Sequence, residues 1–158
     1  MANVQHDSVD LYASVNIRAS ILAGFLAILV NTALLSTADH FHVVTARGGL
    51  LTLALKMMGP PAPQVAMTEW FKQLFHIMVG VAMIVAYAIT LTGWRSPTIA
   101  KGLSSAVVVW LLNACVILPL IGQGFAGSYV LAPLGMLTFA VAHTVFFVLG
   151  AILYERWK

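Results

Sequence analysis

Four long stretches of the chain contain no charged residue, and polar segments separate them. These stretches are residues 19–38, 73–92, 103–122 and 131–154. An apolar run of about 18 or more residues is long enough to cross the roughly 30 Å hydrocarbon layer as one helix. The pattern therefore predicts an all-α integral membrane protein, a four-transmembrane-helix bundle that forms a single membrane domain over residues 1–158.

The longest connection, the outer loop 39–69, contains a shorter apolar segment. Residues 48–58 read GGLLTLALKMM, include Lys56, and are followed by Pro60 and Pro61. This segment is too short to cross the bilayer, and the prolines stop a helix. We expect an interfacial or re-entrant helix in this first outer loop.

Composition supports the membrane assignment. Hydrophobic residues make up 61% of the chain and charged residues 8%, and the mean hydropathy is +0.95. Soluble domains contain about 25% charged residues. The net charge of +3 comes from basic residues scattered singly between apolar runs, so we expect contact with the lipid bilayer and no nucleic-acid partner.

Basic residues also predict the orientation of the multi-pass chain. Those beside the N-terminus, the 93–102 link and the C-terminus are Arg18, Arg95, Lys101, Arg156 and Lys158. Those around the 39–69 loop are Arg47, Lys56 and Lys72. Because cytoplasmic loops carry an excess of lysine and arginine, both termini are predicted to be cytoplasmic.

Three polar side chains lie at similar depths inside the predicted spans. With a helical rise of about 1.5 Å per residue, Asn31, Asn113 and His143 lie about 12, 13 and 15 Å below the outer edge. We interpret them as one polar layer in which hydrogen bonds, worth about 0.6 to 2 kcal/mol each, fix the register between helices. A proton relay or a ligand pocket at mid-membrane is the alternative, because ionisable groups there are costly.

Two histidines raise the alternative of a haem b held between two imidazoles. The depths oppose it, because His76 follows Lys72 by four residues whereas His143 lies about ten residues deep, an offset of about 10 Å. Imidazoles staggered in this way cannot share one iron unless the helices slide. We predict no cofactor and keep haem as an alternative.

A transition metal is a second alternative. Asp39, His40, His42 and Glu69 lie at the ends of the outer loop, and histidine with carboxylate suits zinc, copper or iron. On a helix His40 and His42 point apart, so only Asp39 and His42 would share a face, with His76 as a further candidate ligand. A solvated loop explains these residues without a metal, and no metal site is predicted with certainty.

Small residues recur at four-residue spacing in two of the spans. They are Ala19, Ala23 and Ala27 in the first span and Ala82 and Ala86 in the second. Small side chains permit close packing between membrane helices. We expect helix contacts along both faces.

The second half of the chain resembles a known family. The segments are FHIMVG at 75–80, ILPLIGQGFAG at 117–127 and HTVFFVLGAILY at 143–154. They resemble the small four-span bacterial inner-membrane proteins of unknown function that are related to YagU-like proteins, over roughly residues 70–154. The matching positions are His76, Gly80, Pro119, Leu120, Gly122, Gly124, Phe125, His143, Gly150 and Tyr154. The resemblance implies a four-span fold in the bacterial inner membrane, and it implies no reaction.

No paired nucleophile and base, phosphate-binding loop or Cys/His metal motif is present in the sequence, so we predict that the protein is not an enzyme. The preferred hypothesis is a non-catalytic accessory subunit that packs against larger partner subunits in a respiratory or other energy-converting membrane complex. The alternatives are a haem- or metal-binding redox protein and a small transporter.

Overall fold

The computed structural model describes residues 15–46, 48–61 and 63–158, and the described residues form helices and turns with no strand. The helices are α1 (Ile17–His40), α2 (Gly49–Met58), α3 (Glu69–Leu91), α4 (Thr98–Leu120) and α5 (Pro133–Trp157). All except α2 are long and apolar enough to cross a membrane. The predicted all-α bundle of four spans is confirmed, and the protein is a multi-pass membrane protein.

The spans extend beyond the uncharged runs, because the helix ends contain charged residues. α3 begins at Glu69, one turn before the predicted residue 73, and Lys72 Nζ donates to Glu69 Oε1 over 2.7 Å. A carboxylate in the first turn also interacts favourably with the helix dipole. α5 begins at Pro133, where proline's missing N–H costs no helical hydrogen bond. The uncharged runs therefore do not mark the ends of these helices.

The order of packing among the spans leaves one side of the bundle open. α1 packs along α3 and α5, and α5 also packs along α4. Within the described residues, α3 and α4 make hardly any backbone contact. We call the space between these two helices the α3–α4 seam. We call the end of the bundle that holds α2 the loop end, and the end where α5 finishes the terminal end.

Small residues bring α1 and α3 together. A Cβ built on Gly24 would lie 3.0 Å from Cα of Val81, and one built on Gly80 would lie 2.5 Å from Cδ1 of Ile28. The prediction for Ala82 and Ala86 was wrong, because both are exposed. The buried face of α3 is formed instead by Gly80, Ile84, Tyr87 and Ala88.

The terminal end contains an ion pair between α4 and α5. Lys101 is only 5% exposed, and its Nζ donates to Glu155 Oε1 over 3.0 Å. Lys158 also contacts Glu155, at 2.6 Å. Lys101 thus has a structural partner, which weakens its value as a marker of orientation. Cytoplasmic termini stay a prediction.

The short helix α2 lies against the loop end of α4. Gly49 faces Leu118 and Ile117, and Lys56 Nζ donates to the carbonyl of Leu120 over 2.8 Å. A cation at this position interacts favourably with the carbonyl end of α4. The apolar segment predicted in the outer loop is therefore a helix that covers the last turns of the third span.

The substitution Gly80→Val is expected to destabilise the bundle by about 1–3 kcal/mol, because the added side chain overpacks the contact with Ile28. Unfolding in mixed micelles with increasing dodecyl sulfate, followed by circular dichroism, measures the change. Ala82→Val on the exposed face is the control and should stay within about 0.5 kcal/mol of wild type. Equal stability of the two variants would contradict the close approach of α1 and α3.

The substitution Lys101→Met is expected to cost about 1–3 kcal/mol in the same assay. This is less than the roughly 3–5 kcal/mol of a fully buried pair, because Glu155 keeps Lys158 as a partner. The double variant Lys101→Met, Glu155→Leu should recover most of the loss. Lys72→Met, which breaks an exposed pair, serves as the control. A larger loss in the control than in Lys101→Met would refute the structural role of the buried pair.

Candidate functional site: a polar cavity between the four spans

A cavity of about 400 Å³ lies between the four spans and is lined by residues from all of them and from α2. Asp39, Glu69 and Lys72 line it towards the loop end. Its deepest lining residues, Met83 and Phe146, lie near the middle of α3 and α5. We call this space the polar cavity.

The three residues of the predicted polar layer all line the polar cavity. Asn31 is 0% exposed and Asn113 is 9% exposed. His143 is half-buried and lies on the wall formed by α5. Their side chains are thus brought together around one space, although no hydrogen bond links the three to each other among the described contacts.

Asn31 is instead hydrogen-bonded to His76, which was not expected at this depth. Nε2 of His76 lies 3.2 Å from Oδ1 of Asn31, and because an amide oxygen only accepts, Nε2 donates. Asn31 lies about 12 Å deep by the count from the sequence, so its bond to His76 indicates a greater depth for His76 than the four residues after Lys72 gave. The α1–α3 contact therefore contains a polar pair within its apolar packing.

Two amide atoms in the same region remain without a hydrogen-bond partner among the described residues. They are Nδ2 of Asn31, a donor, and Oε1 of Gln73, an acceptor. Both residues line the polar cavity. Because a buried polar group without a partner costs about 1–3 kcal/mol, such atoms are rare in stable packing.

His143 presents an acceptor to the polar cavity. Its Nδ1 lies 2.9 Å from the carbonyl oxygen of Phe139, so Nδ1 carries the proton and donates. In the neutral ring Nε2 then has the free lone pair. The Phe139 ring lies against the imidazole, with 4.2 Å between the ring centroids, and holds its orientation.

Asn113 begins a π-helical turn, Asn113–Ile117, inside α4. The amide of Leu118 bonds to the carbonyl of Asn113, and Pro119 follows without an N–H of its own. The irregularity lies one turn before the end of α4. Nδ2 of Asn113 donates to the carbonyl of Val109 over 2.9 Å. Single π turns are frequent at functional sites. Pro119 was the feature of the sequence that signalled this distortion.

The candidate metal ligands do not form a metal-binding group among the described residues. Among the described residues, no group of three or more histidine, cysteine, aspartate and glutamate side chains could hold a metal ion. Asp39 lines the mouth of the polar cavity, but His42 lies beyond the end of α1, exposed and with φ at 59°. The shared helical face expected for these two residues does not form, because α1 ends at His40. Haem stays an untested alternative, and in this conformation Nε2 of His76 is engaged by Asn31.

The polar cavity can therefore hold an uncharged polar group. Asn31 offers a donor, and Gln73 and His143 offer acceptors. Lys72 and Glu69, the charged residues near the mouth on α3, are paired with each other at 2.7 Å. An uncharged ligand that forms hydrogen bonds suits the polar cavity better than a charged ligand, because an unpaired charge would be costly at this depth.

Comparisons with protein-family models, with curated proteins and with solved structures gave no match to this chain. The resemblance to YagU-like proteins stays a prediction.

The polar cavity is expected to admit water to Asn113. In a Cys115→Ser background, Asn113→Cys should react with a charged, membrane-impermeant methanethiosulfonate about tenfold or more faster than Leu111→Cys, because the thiolate forms only where water reaches it. Leu111 lies on the same helix but is exposed on the outer face. Equal rates for the two cysteines would contradict a cavity that is open from the loop end.

Proposed function

We propose that the protein is a non-catalytic membrane-embedded binding protein that holds an uncharged, hydrogen-bonding small molecule in the polar cavity. One observation carries the proposal: Asn31 is completely buried within a membrane span, and its Nδ2 has no hydrogen-bond partner among the described residues. A ligand oxygen that accepted from Nδ2 would satisfy this donor.

The energetics of the bilayer support the proposal. A buried donor left unpaired costs about 1–3 kcal/mol, and the hydrogen bond that Asn31 makes to His76 does not use its Nδ2. Polar residues inside membrane spans are expensive and typically mark ligand or ion sites. Gln73, Asn113 and His143 line the same space as Asn31, so each of the four spans carries a polar residue that is costly in a membrane.

The size and chemistry of the polar cavity support a binding role. Its volume of about 400 Å³ falls within the range of about 300–1,000 Å³ that is usual for small-molecule sites. The described residues that line it include no serine, threonine or cysteine that could act as a nucleophile. Binding without covalent chemistry is the simplest role for such walls.

A transporter is less well supported than a binding protein. Transport would require the polar cavity to open at the terminal end as well. There Tyr87 and Tyr154 are buried in edge contact, with 6.2 Å between the ring centroids, and Lys101 pairs with Glu155. These contacts close the bundle below the polar cavity.

The accessory-subunit role remains a separate proposal that is compatible with ligand binding. It places the chain in the bacterial inner membrane, with both termini cytoplasmic, beside a respiratory or other energy-converting complex. The outward face of α1 supports it, because Leu22, Phe25 and Leu29 are exposed and are available to a partner helix as well as to lipid. Co-purification from native membranes in mild detergent tests this role, and elution as the 17.0 kDa chain alone would contradict it.

Ligand retention tests the binding function. Protein purified from native membranes in mild detergent should release, on solvent extraction, a small molecule at close to one equivalent, identified by mass spectrometry. Asn31→Leu should lower its amount about tenfold or more, because the buried donor contributes at least about 1.4 kcal/mol to binding. Thr37→Val, exposed on the same helix, should retain the wild-type amount. Identical extracts from Asn31→Leu and wild type would contradict the proposed function.

A further inference from the structure

The α3–α4 seam contains a second cavity, of about 360 Å³, which we call the apolar groove. Its walls are residues of α3 and α4, and Phe147 of α5 forms its floor. It lies on the terminal-end side of the polar cavity. The two cavities share Met83 and Val109 as lining residues, so they are adjacent.

The apolar groove exists because α3 and α4 are held by different partners. α3 packs on α1 and α4 packs on α5. Among the described residues α3 and α4 make hardly any backbone contact, although Nζ of Lys101 on α4 donates to the carbonyl of Leu91 on α3 over 3.4 Å at the terminal end. On one wall Ala86 is exposed, and on the other Val108 is 64% exposed. The seam is therefore open sideways towards the hydrocarbon of the bilayer.

The walls of the apolar groove offer little to a polar ligand. No described residue that lines it carries a formal charge. The hydroxyl of Ser105 donates to the carbonyl of Lys101 and that of Thr90 to the carbonyl of Ala86, so both are satisfied within their own helices. The hydroxyl of Tyr87 is buried without a partner among the described residues, and Ser104 and Trp94 also line the groove. Hydrocarbon suits such a surface, whereas water or an ion does not.

Together, the two cavities match the two parts of an amphiphile, a polar head and a hydrocarbon tail. The hydrogen-bonding groups Asn31, Gln73 and His143 lie around the polar cavity, and the carbon-lined groove continues from it along the seam. From His76 to Leu91 the helical rise gives a length of about 22 Å, enough for a long hydrocarbon chain. The polar walls include both a donor and acceptors, so a matching head must both accept and donate a hydrogen bond.

We infer that the ligand is a neutral single-chain lipid, whose hydroxyl-bearing head lies in the polar cavity between Asn31 and His143 and whose hydrocarbon tail lies in the apolar groove. This inference rests on the proposed binding function and names its ligand class. The open seam gives such a molecule a route into the site from within the bilayer, so the tail never has to cross water.

Binding of monooleoylglycerol, measured by native mass spectrometry of the purified protein at increasing lipid concentration, tests the inference. One bound molecule per chain is expected. Glycerol, which has the head without the tail, and methyl oleate, which has the tail without a donor, should each bind about tenfold or more weakly, because each loses one half of the contacts. Equal binding of methyl oleate and monooleoylglycerol would overturn the assignment of the head to the polar cavity.

Paired variants on the groove wall test the position of the tail. Ala86→Trp fills the apolar groove and should weaken monooleoylglycerol binding about tenfold or more, whereas Ala82→Trp, exposed one turn earlier on α3 and outside the groove, should not change it. Val108→Trp and Val107→Trp form a second such pair on α4, in case Ala86→Trp does not fold. Unchanged binding in the folded groove variant would overturn the inference. A second result would also overturn the inference. If the groove variant still bound lipid but lost a co-purifying membrane protein, the apolar groove would hold a helix of that partner instead of a lipid tail.

The outcomes separate this inference from the proposed function. If Asn31→Leu loses its native ligand and the groove variants keep theirs, the ligand has no tail in the seam, and the binding function stands. If Asn31→Leu keeps its ligand and Asn113→Cys is unreactive, the binding function itself fails.

Discussion

The close approach of α1 to its two neighbours is the constraint on which the rest of the structure depends. Ala23 and Ala27 are completely buried, and a Cβ on Gly150 would lie 2.4 Å from Ile84 and near Ala27. Side chains this small let van der Waals packing hold helices that lipid would otherwise solvate equally well. Because α1 packs on α3 and α5 while α4 packs on α5, α3 and α4 make hardly any backbone contact among the described residues, and the space left between the spans contains both cavities.

The number and order of the spans could be predicted from the sequence, because uncharged runs of 20 or more residues leave few alternatives in a bilayer. The helix ends could not, because residues such as Glu69 and Lys101 find ionic partners and stay helical. Depth counting from the sequence grouped Asn31, Asn113 and His143, which all line the polar cavity, but it gave His76 a shallower position than its hydrogen bond to Asn31 indicates. Which of these side chains would bond to each other depended on rotation about each helix axis, and the spacing of polar residues in an almost wholly apolar span does not determine that rotation.

Stability and binding make opposing demands on the polar cavity. The bond between Asn31 and His76 strengthens the α1–α3 contact, and the bond from Asn113 to Val109 supports the π-helical turn. Nδ2 of Asn31 and Oε1 of Gln73 have no hydrogen-bond partner among the described residues, so they stabilise neither the α1–α3 contact nor the π-helical turn. A buried polar atom without a partner costs about 1–3 kcal/mol, so these two atoms do not stabilise the folded chain. Their presence beside a cavity is therefore better explained by what the cavity holds than by the folding of the chain.

The packing of α1 against α5 joins the first span of the chain to the last. During biosynthesis α1 can meet α3 as soon as the α1–α3 hairpin has entered the membrane, but its other partner, α5, is synthesised only after α3 and α4. The enclosed space between the spans consequently forms after the first contact of the bundle. A nascent chain arrested before α5 would present the amide of Asn31 to the bilayer with the α5 wall of the polar cavity missing.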